Sequence, residues 1–573
     1  MNKQELIISE RNNINNKADK THDILLINPP YERLKGFSIA SIPNGILTLA
    51  TYLNEKGYKA SVYDVDTSYD EGVLGYNNEN RANSQYNYVA ALEDDDFYVW
   101  EEVKYTIKEL NPKFVGITLM TPTLHSGLKV AAIAKELGCT VLVGGPHVNI
   151  VKDEILEKNI VDFAFFGEGE HSLINFLKHY PDMDKIRNIT GIGYKTVHER
   201  VFNGFGDRVK NLSEFPFPDR DLLLYPGRYM PRDFATIMAS RGCPYKCTFC
   251  ASVPIWGRTT IFREPEHIVA EISYLHDRFG TREFRFMDDT FTVARKKLIE
   301  VCKLLVEKYG EKYFSWWCLS TVKCIDEEVL TWLNKAGCEQ IHIGVETGSE
   351  RLYKIIEKGC TKQEARDAIL LAKKHKFWVS AFFITGFPFE TEEDIRETME
   401  FINDVKPSSV NLCTFTPYPG TALYDRCIEK GLIKHDDNYE LYKYIGHHST
   451  ENFFMENMTR EEYNKLRDEL LALTTKLSNS LDYHKFMYRL RRLTLKKIIR
   501  KIKIKSRRYS VIWKGPGHML VQKVQAKEGK RRRQINDGVG GLSLQNDMHD
   551  LVADNSTDNS TDNEYSSFPG TPS

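Results

Sequence analysis

Three cysteines crowd one short stretch, Ser240-Arg241-Gly242-Cys243-Pro244-Tyr245-Lys246-Cys247-Thr248-Phe249-Cys250, separated by three and then two residues. Thiolates this close on one loop can converge on a single small metal centre. A [4Fe–4S] cluster ordinarily takes four cysteines. Three leave one iron open to bind another molecule, as catalytic metal sites keep an open position. The plainer readings are a structural zinc site completed by a distant Cys or His, and buried thiols that hold nothing. Zinc sites favour paired Cys-x-x-Cys units, and the chain has no second pair.

Further along, acids follow apolar runs: Asp288 and Asp289 in Phe286-Met287-Asp288-Asp289-Thr290-Phe291, and Glu346 in Gly344-Val345-Glu346-Thr347-Gly348-Ser349. Gly386 opens a third such turn, Gly386-Phe387-Pro388-Phe389-Glu390-Thr391, and Pro417-Tyr418-Pro419-Gly420-Thr421 a fourth. Taken singly, each acid suits a helix N-terminus, where a carboxylate meets the positive end of the dipole. Arrayed at successive strand ends around a metal loop, they suit a bound cofactor.

The elements that must position these residues read as two α/β series. In the first, short β-rich runs (24–28, 60–65, 114–119, 140–144 and 163–166) alternate with helical stretches at 45–56, 123–137 and 170–179. This alternation predicts a doubly wound parallel sheet, with ligands bound beyond the carboxyl ends of its strands. Residues 66–96 read as a long insertion or lid. The proline-bearing stretch 206–234 breaks both periodicities and reads as a linker. The second series has strands near 236–240, 283–287, 315–320, 340–345, 378–384 and 409–415, which predicts an open, partial (β/α)6 barrel whose chemistry gathers at the strand carboxyl ends. The expected division is a lead-in 1–22, a first domain 23–205, the linker 206–234, a second domain 235–430, a helical basic region 431–540 and a low-complexity tail 541–573.

Composition constrains the partners. A net charge of -1 over 573 residues gives no global attraction to nucleic acid, which is disfavoured as a partner. No secretion signal and no bilayer-length apolar run occurs, so the expected compartment is the cytoplasm. Eleven cysteines, odd in number and unevenly spaced, read as thiols or ligands rather than disulfides. Residues 485–508 carry twelve Lys or Arg and no acid, with Phe486, Leu490, Leu493, Ile498 and Ile502 at near-helical spacing. A solvated basic helix face, a peripheral contact with an anionic membrane and a grip on RNA phosphates are the readings of this stretch.

The cysteine loop, with Phe249 before its last cysteine, resembles the Cys-x-x-x-Cys-x-x-Cys loop of the radical S-adenosylmethionine (SAM) superfamily. The resemblance implies a [4Fe–4S] cluster on Cys243, Cys247 and Cys250, whose open iron chelates SAM and cleaves it to a 5′-deoxyadenosyl radical after one-electron reduction by a donor such as flavodoxin or ferredoxin. It places Asp288, Asp289, Glu346 and Gly386 near SAM. Phe389 stands where relatives usually have glycine. The first domain resembles the cobalamin (B12)-binding domain of one radical SAM subfamily through Leu26-Ile27-Asn28-Pro29-Pro30, Pro43-Asn44-Gly45, Gly116-Ile117-Thr118, Gly144-Gly145-Pro146-His147 and Gly167-Glu168-Gly169-Glu170. This implies cobalamin contacts at Asn28, Pro43, Gly45, Thr118, Gly144, Gly145, Gly167 and Glu168. No histidine lies in an Asp-x-His-x-x-Gly context, and His147 is not assigned to cobalt. No dinucleotide or phosphate-loop glycine motif occurs, and Cys139 alone cannot make the second cluster of a methylthiotransferase.

The expected activity is cobalamin-dependent methylation of an unactivated carbon in a small-molecule or lipid-like substrate. The alternatives are cyclisation or oxidation with the same cofactors, and a non-catalytic membrane- or RNA-binding protein. No catalytic residue is assigned.

Overall fold

The computed structural model describes residues 22–37, 41–68, 78–434, 436 and 438–479. Most of the lead-in, the basic stretch 485–508 and the tail 541–573 lie outside the described residues.

Strands β1 (Ile24–Asn28), β2 (Ala60–Asp64), β3 (Phe114–Thr118), β4 (Thr140–Gly144), β5 (Phe163–Phe165), β6 (Ile192–Lys195) and β7 (Arg200–Phe202) form one sheet in the order β2-β1-β3-β4-β5-β6-β7. The first five are parallel. They are apolar almost throughout because helices cover both faces of the sheet. The last two are antiparallel additions that the expected parallel sheet did not contain. They are short, their turn is closed by the Thr196 hydroxyl accepting from the backbone of His198 and Glu199, and β7 lies exposed at the edge, so neither carries a strong apolar signature.

The expected lid at 66–96 is corrected in part. Its second half folds as the helix Asn78–Glu93, which buries Val89 and places Tyr88 and Ala91 in the core against the first sheet. A second helix, Tyr98–Leu110, buries Val99, Trp100, Val103 and Ile107 on one face.

The second sheet contains β8 (Thr236–Ile237), β11 (Glu283–Phe286), β12 (Ser315–Thr321), β13 (Cys338–Glu346), β14 (Trp378–Thr385) and β15 (Ser409–Thr414), each paired in parallel with the next. β8 and β15 are its two edges, so the barrel is open. The expected first strand splits: after β8 the chain leaves the sheet, and β9 (Ser240–Arg241) pairs antiparallel with β10 (Ile261–Phe262), closing a small ribbon around the cysteine loop. Side-chain caps start the helices after β13 and β14 and after the 417–421 turn: Ser349, Thr391 and Thr421 accept backbone N–H groups.

The linker is welded in place rather than extended. Arg220 is buried and meets Glu271 at 3.2 Å, and Glu271 also takes Arg263 at 2.6 Å. Of the region 431–540, expected to be helical, the described residues before Arg460 hold a 3-10 turn at Glu440–Lys443 and Arg460–Asn479 form a helix; residues 480–540 lie outside the described residues. Tyr439, Tyr442, Ile445 and Phe454 of this segment join a core that reaches from the first domain to Phe387 and Phe415 of the second.

Candidate active site

Gly242 turns the chain out of β9 with a left-handed φ of 90°, and a Cβ there would lie 2.3 Å from the Thr259 carbonyl oxygen, so no other residue fits. The loop beyond is held by its backbone. Thr248 N donates to the Ile356 carbonyl and Leu423 N to the Thr248 carbonyl, both at 3.1 Å. Cys243, Cys247 and Cys250 are free and half-buried. Burial raises the Cys247 pKa, and neighbouring Glu346 and Cys243 add to the rise against Lys358. Burial, with the charges of Cys247 and Asp289, pushes Cys250 up to about 12. Among the described residues no three metal-ligating side chains are gathered on one point. The donor set itself fits an iron–sulfur group: three soft ligands on one loop, of which Cys247 and Cys250 are held as thiols by burial and nearby negative charge, a state that a cationic centre would reverse.

The expected SAM residues separate into two groups. Asp289 is exposed, accepts from Ser252 Oγ at 2.7 Å and lies within electrostatic reach of Cys250. Glu346 sits at a register shift between β13 and β14, with a left-handed φ of 73° that is uncommon for a residue with a side chain. Its carboxylate takes Lys358 Nζ at 2.7 Å, both nearly buried, beside Cys247. Burial opposes the charge on Lys358, but Glu346, with Cys247, more than offsets this, and the pKa of Lys358 is raised.

Asp288 and Gly386 instead shape the backbone. Asp288 is buried, accepts from Ser240 Oγ at 2.6 Å and thereby braces β9; burial raises it to about 6, and its Oδ2 has no partner. Gly386 has φ 86°, and its N–H donates to the buried Glu390. Phe389, in place of the usual glycine, stacks on Phe387, which in turn packs against Phe249 of the cysteine loop.

A cavity of about 480 Å³ opens between the domains. Its floor is one face of the first sheet, where Leu26, Gly116 and Leu142 point between the helices Asn44–Glu55 and Gly169–His179; its roof is the linker, Arg241 of β9, and Arg263 and His267 at the start of the helix Pro265–Phe279. Of the expected cobalamin residues, Gly45, Thr118, Gly144, Gly145, Gly167 and Glu168 line it, whereas Asn28 and Pro43 do not. Asn28 donates to Asp64 at 2.8 Å inside the sheet, and Pro43 only precedes the lining helix. His147 is buried against Thr121 and Tyr439, away from the cavity. Asn44, also in the wall, has a buried Oδ1 with no partner. A largely apolar cavity with an orphaned amide oxygen in its wall fits a cobamide, a large ligand edged with amide N–H donors.

Family models for the radical SAM superfamily and the B12-binding domain match residues 237–402 and 40–177. An uncharacterized methyltransferase of Pyrococcus horikoshii is 32% identical over 340 residues, which cover 58% of this chain and 73% of that protein. The chain belongs to the B12-binding radical SAM family.

Within this radical SAM chain the cysteine loop, Asp288, Asp289, Glu346 and Gly386 all fall inside the radical SAM match. An anaerobic magnesium-protoporphyrin IX monomethyl ester cyclase of Cereibacter sphaeroides is 27% identical over 60% of the chain, which spans 57% of that enzyme. The solved structure of the radical SAM methyltransferase TsrM from Kitasatospora setae, with cobalamin and a [4Fe–4S] cluster bound, shares the fold at a TM-score of 0.57 and 16% identity, covering 78% of this chain and 88% of that one. Sequence reasoning passed over Arg241, Lys358 and Asn44. Asn44 belongs to the Pro43-Asn44-Gly45 motif and Arg241 to the cysteine stretch, but neither they nor Lys358 carry a local pattern that marks a polar side chain as buried.

No helix among the described residues is long and apolar enough to cross a membrane.

Proposed function

We propose that the chain is a cobalamin-dependent radical SAM methyltransferase acting on an unactivated carbon of a small-molecule or lipid-like substrate. The observation that carries this reading is a cavity walled by both domains, with Arg241, two residues before Cys243, in its lining. When bound, the cluster, SAM and cobalamin together supply a radical that removes hydrogen from carbon and a methyl group to replace it. The protein's part is to bind, orient and exclude water.

In this reading Cys243, Cys247 and Cys250 hold the cluster. Asp289 and the Glu346–Lys358 pair face SAM, while Asp288 and Gly386 fix the loops around it. Gly45, Thr118, Gly144, Gly145 and Gly167 let backbone approach the corrinoid, and Asn44 accepts one of its amide N–H groups. Asn28 and Pro43 act by holding β1 and the start of the lining helix, and Glu168 by its ion pair with Arg241. A one-electron donor such as a flavodoxin or ferredoxin completes the requirement. The basic residues 485–508 would bring the enzyme to an anionic membrane surface, a partner suited to a lipid-like substrate; flotation with phosphatidylserine vesicles tests this.

Metabolite extract from a strain lacking the chain, incubated with reduced enzyme and methyl-deuterated SAM, should yield a product carrying the label. The cyclase relatives favour a second reading with the same cofactors, in which deoxyadenosine forms and no label is transferred. That outcome would replace the first reading.

A further inference from the structure

Arg241 reaches across the domain boundary with both ends of its guanidinium. Nη1 meets Glu168 Oε1 and Nη2 meets Glu170 Oε1, each at 2.6 Å, and all three side chains are at most 15% exposed. The second oxygen of Glu168 accepts the Val209 backbone N–H at 2.6 Å. The neighbouring Arg208 donates to the carbonyl oxygens of Arg241, just before the cysteine loop, and of Trp256, just after it. The circuit therefore closes from Glu168 through Arg241, Arg208 and Val209 back to Glu168. On the far side of the loop, the helix Ser252–Trp256 packs on the helix Pro146–Val151 of the first domain. Both first-domain partners, the 167–170 loop and the Gly144-Gly145-Pro146 turn, are also walls of the cavity.

From this we infer that Arg241 is a positioning residue: the Arg241–Glu168–Glu170 clamp sets the distance and angle between the cluster loop and the ligand of the interdomain cavity. The inference rests on the proposed cofactor set. A fork that binds two carboxylates at once fixes orientation as well as distance, which a point charge cannot do. Buried in this seam, it also resists the opening that would let the two sites drift apart.

The test uses the full-length protein loaded with reduced cluster and cob(II)alamin, and reads the magnetic interaction between the two paramagnets by electron paramagnetic resonance, alongside the exchange of bound cobalamin. Wild type should show one well-defined interaction. Arg241→Met should spread it into a range of weaker couplings and speed cobalamin exchange about tenfold or more, as loss of a buried charge partner acts on dissociation. Arg241→Lys, able to reach one carboxylate, should recover part of the wild-type signal. If Arg241→Met fails to take up the cluster, Glu170→Ala, which leaves the cysteine loop's sequence intact, should show the same broadening. A wild-type interaction in a fully loaded Arg241→Met or Glu170→Ala protein overturns the clamp. A wild-type protein that binds no cobalamin or forms no cluster overturns the functional reading instead, and the clamp with it.

Discussion

At the residue scale, five cysteines crowd the neighbourhood of the loop, yet only three share it. Cys324 lies 3.4 Å from the Tyr245 hydroxyl, and Cys360 is in electrostatic reach of Lys358 and Cys247. Cys247→Ala should abolish the iron content and visible absorbance of the reconstituted protein, whereas Cys324→Ala and Cys360→Ala should retain both; iron lost equally in all three would reassign the ligands. Glu390 makes a different prediction. Burial raises its pKa from an ordinary 4.5 to about 8, although Gly386 N–H and the Thr385 hydroxyl favour the carboxylate. Between those values the folded state keeps a proton that the unfolded state has lost, so stability falls as pH rises. Glu390→Gln retains an acceptor and cannot titrate. It should gain on wild type by at most about 1.4 kcal/mol per pH unit between pH 5 and 8, read from denaturation midpoints; parallel curves for the two proteins would refute the assignment. Neither Glu390 nor Lys358 was legible as buried in the sequence, because burial of a charge depends on which distant elements close over it.

At the element scale, the cavity depends on a strand that leaves out a side chain. A Cβ on Gly116 in β3 would lie 2.6 Å from a Leu26 methyl, and the position faces the cavity. Gly116→Val should intrude on the cavity and lower cobalamin affinity by tenfold or more, since overpacking and lost volume each cost on the order of 1–3 kcal/mol. Equilibrium dialysis measures it, and unchanged affinity with an intact fold would move the ligand elsewhere. The regular strands were legible: β1, β3 and β4 are short apolar runs, and β11 to β15 are β-rich stretches that recur between helical segments. β6 and β7 were not, because their few residues are held in place by pairing, β6 on β5 and β7 on β6, rather than by their own pattern. Nor was the break between β8 and β9, which follows from the pairing of β9 with β10 outside the sheet.

At the scale of the whole molecule, one hydrophobic cluster runs through both domains, beside a second centred on the barrel. Phe387, Phe415, Tyr442 and Phe454 pack in the same cluster as Leu25, Ile117 and Val143 of the first sheet, and Arg220, Arg228 and Glu271 fasten the linker between them. Denaturant unfolding of the full chain should therefore follow a single transition, with fluorescence and circular dichroism coincident, and a fragment ending at residue 205 should be less stable than the intact chain. Two separated transitions would contradict coupling through the shared cluster.

The sequence by itself determined the chemistry available: three thiols at a cluster spacing, glycine turns at strand ends, and two α/β series in order. Those features are local, set by covalent spacing and by the period of apolar residues. Only the tertiary structure decided how the two series meet. The seam that holds the cavity, the Arg241 fork on Glu168 and Glu170, and the Glu346–Lys358 pair beside Cys247 join residues far apart along the chain, and their partners are selected by packing, which no local pattern encodes.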